Sequence, residues 1–268
     1  GNNNFQLVAP VLSLAERGGE LNLNLVYNSL VWNQSGNDMY FDIDHDSPAP
    51  GWHLGFGKMV MMGTAGCMLI EPDGSRHPFK GSVSNYHYDA IPPFLPARDI
   101  PVFKGETTDG SMIEYRCEPP AYQEPQGAAR YPNGTVVHYT NIGDPNQPRN
   151  YLYPTFIRDK NGNGMHIRYT WPDAEPRIQR IVDTVGRVID FHYDTQKRLT
   201  SITGPDVKDA NGNPTTRTFV RLHYTTLQLG SGLFSKTTHI RNSTPFVIDA
   251  IYYPATRTGY VFGPEAYS

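Results

Sequence analysis

A short strand that ends in tyrosine recurs along this chain and limits what the chain can fold into. Each unit begins with Asp-Gly or Asn-Gly and closes five residues after the glycine, at Tyr115, Tyr139 and Tyr169. A longer variant runs from Gly186 to Tyr193. Asp-Gly and Asn-Gly supply the positive φ angles that tight turns between antiparallel strands require. The repeat therefore predicts a string of β-hairpins.

The interval between the units indicates which repeat architecture to expect. The closing tyrosines lie 24 to 31 residues apart, at Tyr115, Tyr139, Tyr169, Tyr193, Tyr224 and Tyr253. A propeller blade needs about 40 residues or more, whereas short strands with their turns fit the observed interval. One hairpin cannot bury its own apolar face, but a row of hairpins can. We therefore expect an all-β fold of consecutive antiparallel β-hairpins in a curved sheet.

Alternation of apolar and polar side chains supports strands at both ends of the chain. Ile189, Phe191 and Tyr193 share one face of a strand whose other face is polar. Residues 20–27 alternate leucine with asparagine in the same way. Pro10 interrupts an earlier apolar stretch, which predicts an edge strand or a bulge at that position.

Composition excludes several classes of protein. The 25 Gly and 23 Pro among 268 residues are incompatible with a long helical bundle. The net charge of −3 shows no basic excess, so we expect no nucleic-acid partner. No run of about 18 apolar residues occurs, so we expect no membrane insertion. Two cysteines, Cys67 and Cys117, leave open whether they form a disulfide.

The strength of the repeat divides the chain into two regions. We predict an N-terminal β segment over residues 1–66, leading into degenerate hairpin repeats over residues 67–268. The clearest repeat covers residues 181–206. The sequence begins without a methionine and shows no signal peptide, so we expect a piece of a longer protein.

Residues 186–203 resemble the YD repeat of the Rhs/YD-repeat family. In that family Tyr-Asp is followed by a short turn, a Gly-Arg-Leu triplet and an apolar strand. The matching residues here are Gly186, Arg187, Tyr193, Asp194, Arg198 and Leu199. Lys197 stands where the family often has Gly. Residues 50–57 resemble the segment that precedes the repeats in large secreted bacterial members.

This resemblance implies a sheet wound as a spiral into part of a β shell, as in Rhs proteins, teneurins and toxin complexes. Such shells enclose cargo or present a surface for adhesion. The partners it implies are other parts of the same polypeptide or an encapsulated C-terminal cargo, and the location is secreted or at a bacterial cell surface. Nothing in the chain matches the self-cleaving segment of Rhs proteins, so the resemblance implies wall and no catalytic residues.

Two oxygen-rich runs are weak candidates for a structural calcium site, and no cofactor is otherwise expected. Asp159, Asn161 and Asn163 fit the first half of a calcium loop, but Thr170 stands where a bidentate glutamate is needed. A turn between strands explains the same residues more simply. The second run consists of Asp42, Asp44 and Asp46.

Aromatic and histidine side chains complete the set of candidates. Trp32, Trp52 and Trp171 could stack on a sugar ring, although filling the layer between sheets is the favoured interpretation. Four histidines directly precede a tyrosine, at His87, His138, His192 and His223. Because a catalytic site is normally built once, this repetition favours a shared position in the repeat over catalysis.

Three hypotheses for the function arise from these features. The leading one is a structural and interaction module of a large secreted or surface protein, contributing hairpins to a β-sheet shell. The alternative is a carbohydrate-binding adhesin module that uses exposed aromatics and has glycans as partners. A glycoside hydrolase ranks last, because no pair of carboxylates has a signature spacing.

Overall fold

The computed structural model describes residues 5–16, 19–41, 47–62, 66–88, 98–118, 126–142, 151–170, 176–208, 211–229 and 239–263. Within these ranges the backbone forms strands, turns and bends. The same ranges contain no helix of the length and apolarity that a membrane crossing requires. The candidate residues Asp42, Asp44, Asp46 and Trp171 lie outside the described residues.

The described residues form 22 strands. Strands β1 to β6 are Gln6–Glu16, Gly19–Asn28, Trp32–Ser35, Asp38–Phe41, Pro48–Ala49 and Trp52–Leu54. Strands β7 to β16 are Lys58–Met61, Cys67–Ile70, Arg76–Tyr88, Arg98–Thr107, Glu114–Glu118, Gln126–Arg130, Val136–Thr140, Tyr151–Arg158, Gly164–Tyr169 and Ile178–Val182. Strands β17 to β22 are Val188–Tyr193, Leu199–Lys208, Pro214–Thr226, His239–Arg241, Phe246–Tyr253 and Thr258–Val261.

The strands group into two compact units. The continuous unit comprises Phe56–Thr184, and the split unit comprises Gly1–Gly55 with Val185–Ser268. The division expected from the sequence, between residues 66 and 67, remains a prediction.

The continuous unit is a meander that closes into a barrel. From β7 to β16, each strand pairs antiparallel with the next strand along the chain. In addition, β14 pairs with β7 through Tyr151–Val60 and Leu152–Met59. Strands β7 to β14 therefore form a closed eight-stranded barrel, and β15 and β16 continue the sheet from β14.

Side chains fill the interior of this barrel. Along β11, Tyr115 is fully buried whereas Glu114 and Arg116 are exposed, as alternation along a strand requires. The buried cluster consists of Met59, Cys67, Leu69, Phe79, Phe103, Ile113, Tyr115, Ala129, Val137, Tyr139 and Leu152. The rings of Tyr115 and Tyr139 meet edge to face at 6.3 Å. The barrel is therefore a packed core.

The split unit contains three sheets. The N-terminal sheet has the strand order β1-β2-β6-β5, and a second meander has the order β17-β18-β19-β21-β22. A small third sheet pairs β20 in parallel with β4, which also pairs with β3. In the N-terminal sheet β1 lies at the edge, and its register shifts between Pro10 and Leu12. The sequence prediction of an edge strand or bulge at Pro10 is confirmed.

Aromatic rings join the sheets of the split unit. The buried Trp52 ring lies 5.2 Å from Tyr27 on β2 and 5.4 Å from Phe262, which follows β22. In the second meander Ile189 and Phe191 are buried, as their shared face predicts. The predicted fold class is therefore confirmed, because the described residues are all-β and each unit contains a curled meander of consecutive antiparallel strands.

Candidate functional site

The Tyr-Asp motif forms the turn between β17 and β18. The backbone N–H of Asp194 donates to the carbonyl of Arg198 at 3.0 Å, and the N–H of Lys197 donates to the carbonyl of Asp194 at 3.0 Å. Lys197 has a φ of +64°. This is a three-residue hairpin loop in which the last residue is left-handed. The position where the family often has Gly is thus the position that needs a positive φ.

Asp194 organises this turn through its carboxylate. One oxygen accepts the backbone N–H groups of Gln196 and Arg198, each at 2.9 Å. The other oxygen accepts the Arg198 Nε–H and pairs with Nη2, each at 2.7 Å. Desolvation raises the pKa of Asp194, but the hydrogen bonds from Arg198 and Gln196 and the charge of Arg198 together outweigh it, so the pKa lies below its usual range.

The same motif anchors the turn to the neighbouring strands. The Arg198 guanidinium lies 5.5 Å from the ring centre of Tyr224 and 4.6 Å from that of Phe246. The Tyr224 hydroxyl donates to the carbonyl of Leu199 at 2.9 Å, and Leu199 is fully buried. The structure therefore brings Asp194, Arg198 and Leu199 together as one corner of the sheet.

The other motif residues lie on either side of this corner. Gly186 has a φ of +80°, Arg187 directly precedes β17, and the half-buried Tyr193 ends that strand. Their placement beside the turn follows the predicted order of the repeat.

The same five-residue turn recurs three times in the continuous unit. In each copy the first N–H donates to the fifth carbonyl, the fourth N–H donates to the first carbonyl, and the fourth residue is a glycine with a φ between +84° and +87°. The copies are Glu71–Ser75, Tyr131–Thr135 and Asp159–Asn163. One turn geometry therefore recurs at these three places, whereas Asp109-Gly110 lies in a longer connection in which the Thr107 N–H donates to the carbonyl of Ile113.

The Asp159–Asn163 turn contains the three residues of the first calcium candidate. The Asp159 carboxylate accepts the backbone N–H groups of Asn161 and Asn163 at 2.8 and 2.9 Å, and the Asn163 amide at 2.7 Å. The hydrogen bond from the Asn163 side chain is the main cause of the lowered pKa of Asp159. These three residues thus form the turn itself, with Asn163 in the place of Arg198, and a calcium ion there stays a prediction.

Two further observations concern metal ligands and turn position. Within the residues that the structure describes, no three His, Cys, Asp or Glu side chains are grouped so that they could hold a metal ion.

The prediction that Asn163-Gly164 forms the turn is wrong, because the left-handed residue is Gly162 and Gly164 begins β15. Gly164 is needed there because the ring of Phe156 lies 2.7 Å from where its Cβ would be.

A β-bulge lies opposite the closing tyrosine of four strands, on the strand paired with it, which sequence reasoning missed. The extra residues are Thr155, Gln179, Thr200 and Asp249. The strand register shifts between His138 and Tyr139, Arg168 and Tyr169, His192 and Tyr193, and His223 and Tyr224. A bulge bends its strand and increases the local twist. These four bulges therefore add curvature to the meanders that contain them. Tyr115 and Tyr253 close strands without such a shift.

The histidines before tyrosine contact different partners. His138 lies 5.8 Å from the Phe156 ring, His192 is 2.7 Å from the Thr203 hydroxyl, and His223 is 2.6 Å from the Asp249 carboxylate. The His87 side chain lies outside the described residues. The described histidines thus share a place in the repeat but have no contact partner in common.

The two tryptophan candidates that the structure describes also contact different partners. Trp52 is 1% exposed, so its ring faces the core. Trp32 is half-buried and packs edge to face on Phe41 at 4.9 Å. Cys67 is fully buried in the barrel, and the Cys117 side chain lies outside the described ones. A glycan site at the tryptophans and a disulfide between Cys67 and Cys117 therefore stay predictions.

Comparison of the sequence with known proteins finds no match. No protein-family model matches the chain, and no curated protein matches it.

Solved structures, in contrast, match along nearly the whole chain. TcdB2-TccC3 gives a TM-score of 0.58 at 10% identity, over 96% of this chain and 16% of that one. The N-terminal domain of the effector protein SpvB from Salmonella typhimurium gives 0.57 at 11% identity, over 96% and 99%. The Tc holotoxin pore of Photorhabdus luminescens gives 0.57 at 11% identity, over 96% and 15%. This chain shares its fold with Rhs/YD-repeat proteins.

The structural likeness confirms, at the level of fold, the architecture that residues 186–203 predicted. The chain spans less than a fifth of TcdB2-TccC3 but nearly all of the SpvB domain. The same architecture therefore occurs both as a short stretch of a long chain and as a whole domain.

Proposed function

We propose that this chain is a structural module of a secreted, toxin-like bacterial polypeptide, in which its curled sheets form part of the wall of a β-sheet shell. The observation that carries the proposal is the fold likeness to TcdB2-TccC3 and to the SpvB domain over 96% of this chain. Its role is mechanical and not enzymatic. Its partners are the adjoining parts of the same polypeptide or a cargo that the polypeptide encloses.

The repeated turn and bulge support a role as wall. Turns such as Asp194–Arg198 end the hairpins locally, and four of the hairpins carry a β-bulge opposite the closing tyrosine. Repetition of a bent unit produces curvature that continues along the sheet. A wall needs this property, whereas a catalytic site needs one unique arrangement.

We do not expect cargo inside the packed barrel of the continuous unit. Its interior is occupied by side chains such as Tyr115 and Leu152, both no more than 1% exposed. We therefore propose that the barrel stiffens the wall, and that any cargo lies against other surfaces of the shell.

The test uses the complete gene product and limited proteolysis read by mass spectrometry. Ile189→Asp places a charge in a fully buried position of β17 and should open the wall. Gln196→Asp introduces the same side chain at an exposed turn position, and the equivalent position of the Glu71–Ser75 turn already has Asp73. The proposal expects segments outside this chain to be protected in the wild type and in Gln196→Asp, and to become sensitive in Ile189→Asp.

Equal sensitivity of those outside segments in all three proteins would refute the shell proposal. Binding to a glycan array that is lost in Trp32→Ala would instead favour the adhesin. Turnover of a polysaccharide by the wild type would favour a hydrolase.

A further inference from the structure

We infer that the seam between β7 and β14 is where the barrel of the continuous unit opens before the rest of it unfolds. The inference concerns a conformational property of this chain and is independent of the proposed shell.

The seam is the one closure in the described barrel that does not join consecutive strands. Met59 and Leu152, which face each other across it, are separated by 93 positions in the sequence. All other neighbours in the barrel are linked directly along the chain. A long loop costs more entropy to close than a short one, so the seam has the least help from chain connectivity.

The seam is also short. It contains two residue pairs, whereas β13 and β14 share five and β9 and β10 share ten. Strands β8 and β9 share only three pairs, but the hydrogen-bonded turn Glu71–Ser75 joins them. The seam therefore combines few backbone hydrogen bonds with no local turn.

The pairing of β14 with β7 cannot extend along β14 towards the residues that pair with β15. Pro154 has no N–H to donate to a further pair with β7. Beyond Pro154, strand β14 already pairs with β15 through Phe156, Ile157 and Arg158. On the β7 side of the seam, Gly57 directly precedes the strand and has a φ of +73°, so its backbone is not extended. Strand β14 is thus a fork that divides its pairing between β7 and β15.

Apolar burial holds the seam closed. Met59 and Leu152 are at most 1% exposed and belong to the core cluster. The Lys58 ammonium lies 4.9 Å from the ring centre of Tyr151 and adds a contact across the seam. Opening would uncover these apolar side chains together with two unpaired strand edges, which is the surface that accepts an added strand.

Native-state hydrogen exchange with mass spectrometry tests the inference on this chain without a ligand. Peptides that cover residues 58–61 and 151–153 should exchange through an opening that leaves the β9–β10 hairpin protected. In Leu152→Ala this opening should become about 30-fold more frequent or more, because the side chain is buried only in the closed state. Ile113→Ala is the control, since Ile113 is also buried in the core cluster but lies beside β11, away from the seam.

The control should lower global stability while leaving seam exchange below the unfolding transition unchanged. The inference is overturned if the seam peptides exchange only together with β9 and β10, or if Ile113→Ala accelerates seam exchange as much as Leu152→Ala does. The order of exchange in the wild type tests the inference even if a variant fails to fold.

Discussion

Lys197 occupies a backbone position that costs free energy, so replacing it with glycine should stabilise the chain. A left-handed conformation costs an ordinary residue about 1–2 kcal/mol. Glycine removes that cost but adds about 0.5–1 kcal/mol of chain entropy in the unfolded state. We expect Lys197→Gly to raise the free energy of unfolding by about 0.5–1 kcal/mol.

Two further variants separate backbone strain from side-chain contacts. Lys197→Ala removes the long side chain but keeps the strain, so Lys197→Gly should exceed it by about 1 kcal/mol. Gly162 is the equivalent residue of the Asp159–Asn163 turn, has a φ of +87°, and has no atom within 4 Å of an added Cβ. Gly162→Ala should therefore lose about 1 kcal/mol through strain alone.

Urea unfolding followed by circular dichroism measures these differences through the midpoint at constant slope. In a thermal scan about 1 kcal/mol corresponds to a shift of roughly 2–4 °C for a chain of this size. If Lys197→Gly is no more stable than Lys197→Ala, or if Gly162→Ala is as stable as the wild type, strain at the fourth turn position is not what selects glycine in this repeat.

Three other perturbations test separate parts of the structure. Gly127→Ala should cost about 1–3 kcal/mol by overpacking, because its Cβ would overlap the buried Tyr115 hydroxyl, and a denaturation curve that matches the wild type would contradict this. Trp52→Ala should cost about 3–5 kcal/mol in the free energy of unfolding, and an unchanged midpoint would show that Trp52 is not core. Hydrogen bonds from Ser111 lower the pKa of Asp109 to about 2, with a smaller contribution from His77. A lowered pKa stabilises the fold above the unfolded value near 4, and this stabilisation is lost as the pH falls to about 2. Asp109→Asn should therefore flatten the loss of stability in that window, and an identical pH profile would contradict this.

Sequence spacing found the elements whose contacts are local. The Asp194–Arg198 turn is held by hydrogen bonds within five residues, so Tyr193-Asp194 and Arg198-Leu199 could be recognised without a structure. The alternation along β17 placed Ile189 and Phe191 in the core for the same reason. The turn beside Gly164 was misplaced by two residues because two Asn-Gly pairs follow each other there, and only the packing of Phe156 distinguishes them.

Tertiary structure alone decided how the hairpins associate. Closure of the barrel joins Met59 to Leu152, and β4 pairs with β20 across about 200 residues, as Met39 meets Ile240. The sequence is silent on such partners because a strand presents the same hydrogen-bonding edge to any neighbour, and the accumulated twist of the intervening strands selects which edge it meets. The burial of Trp52 follows from the same association. Turns and faces are thus local properties of this chain, whereas closure of the barrel and the fork at β14 are set by curvature summed over many residues.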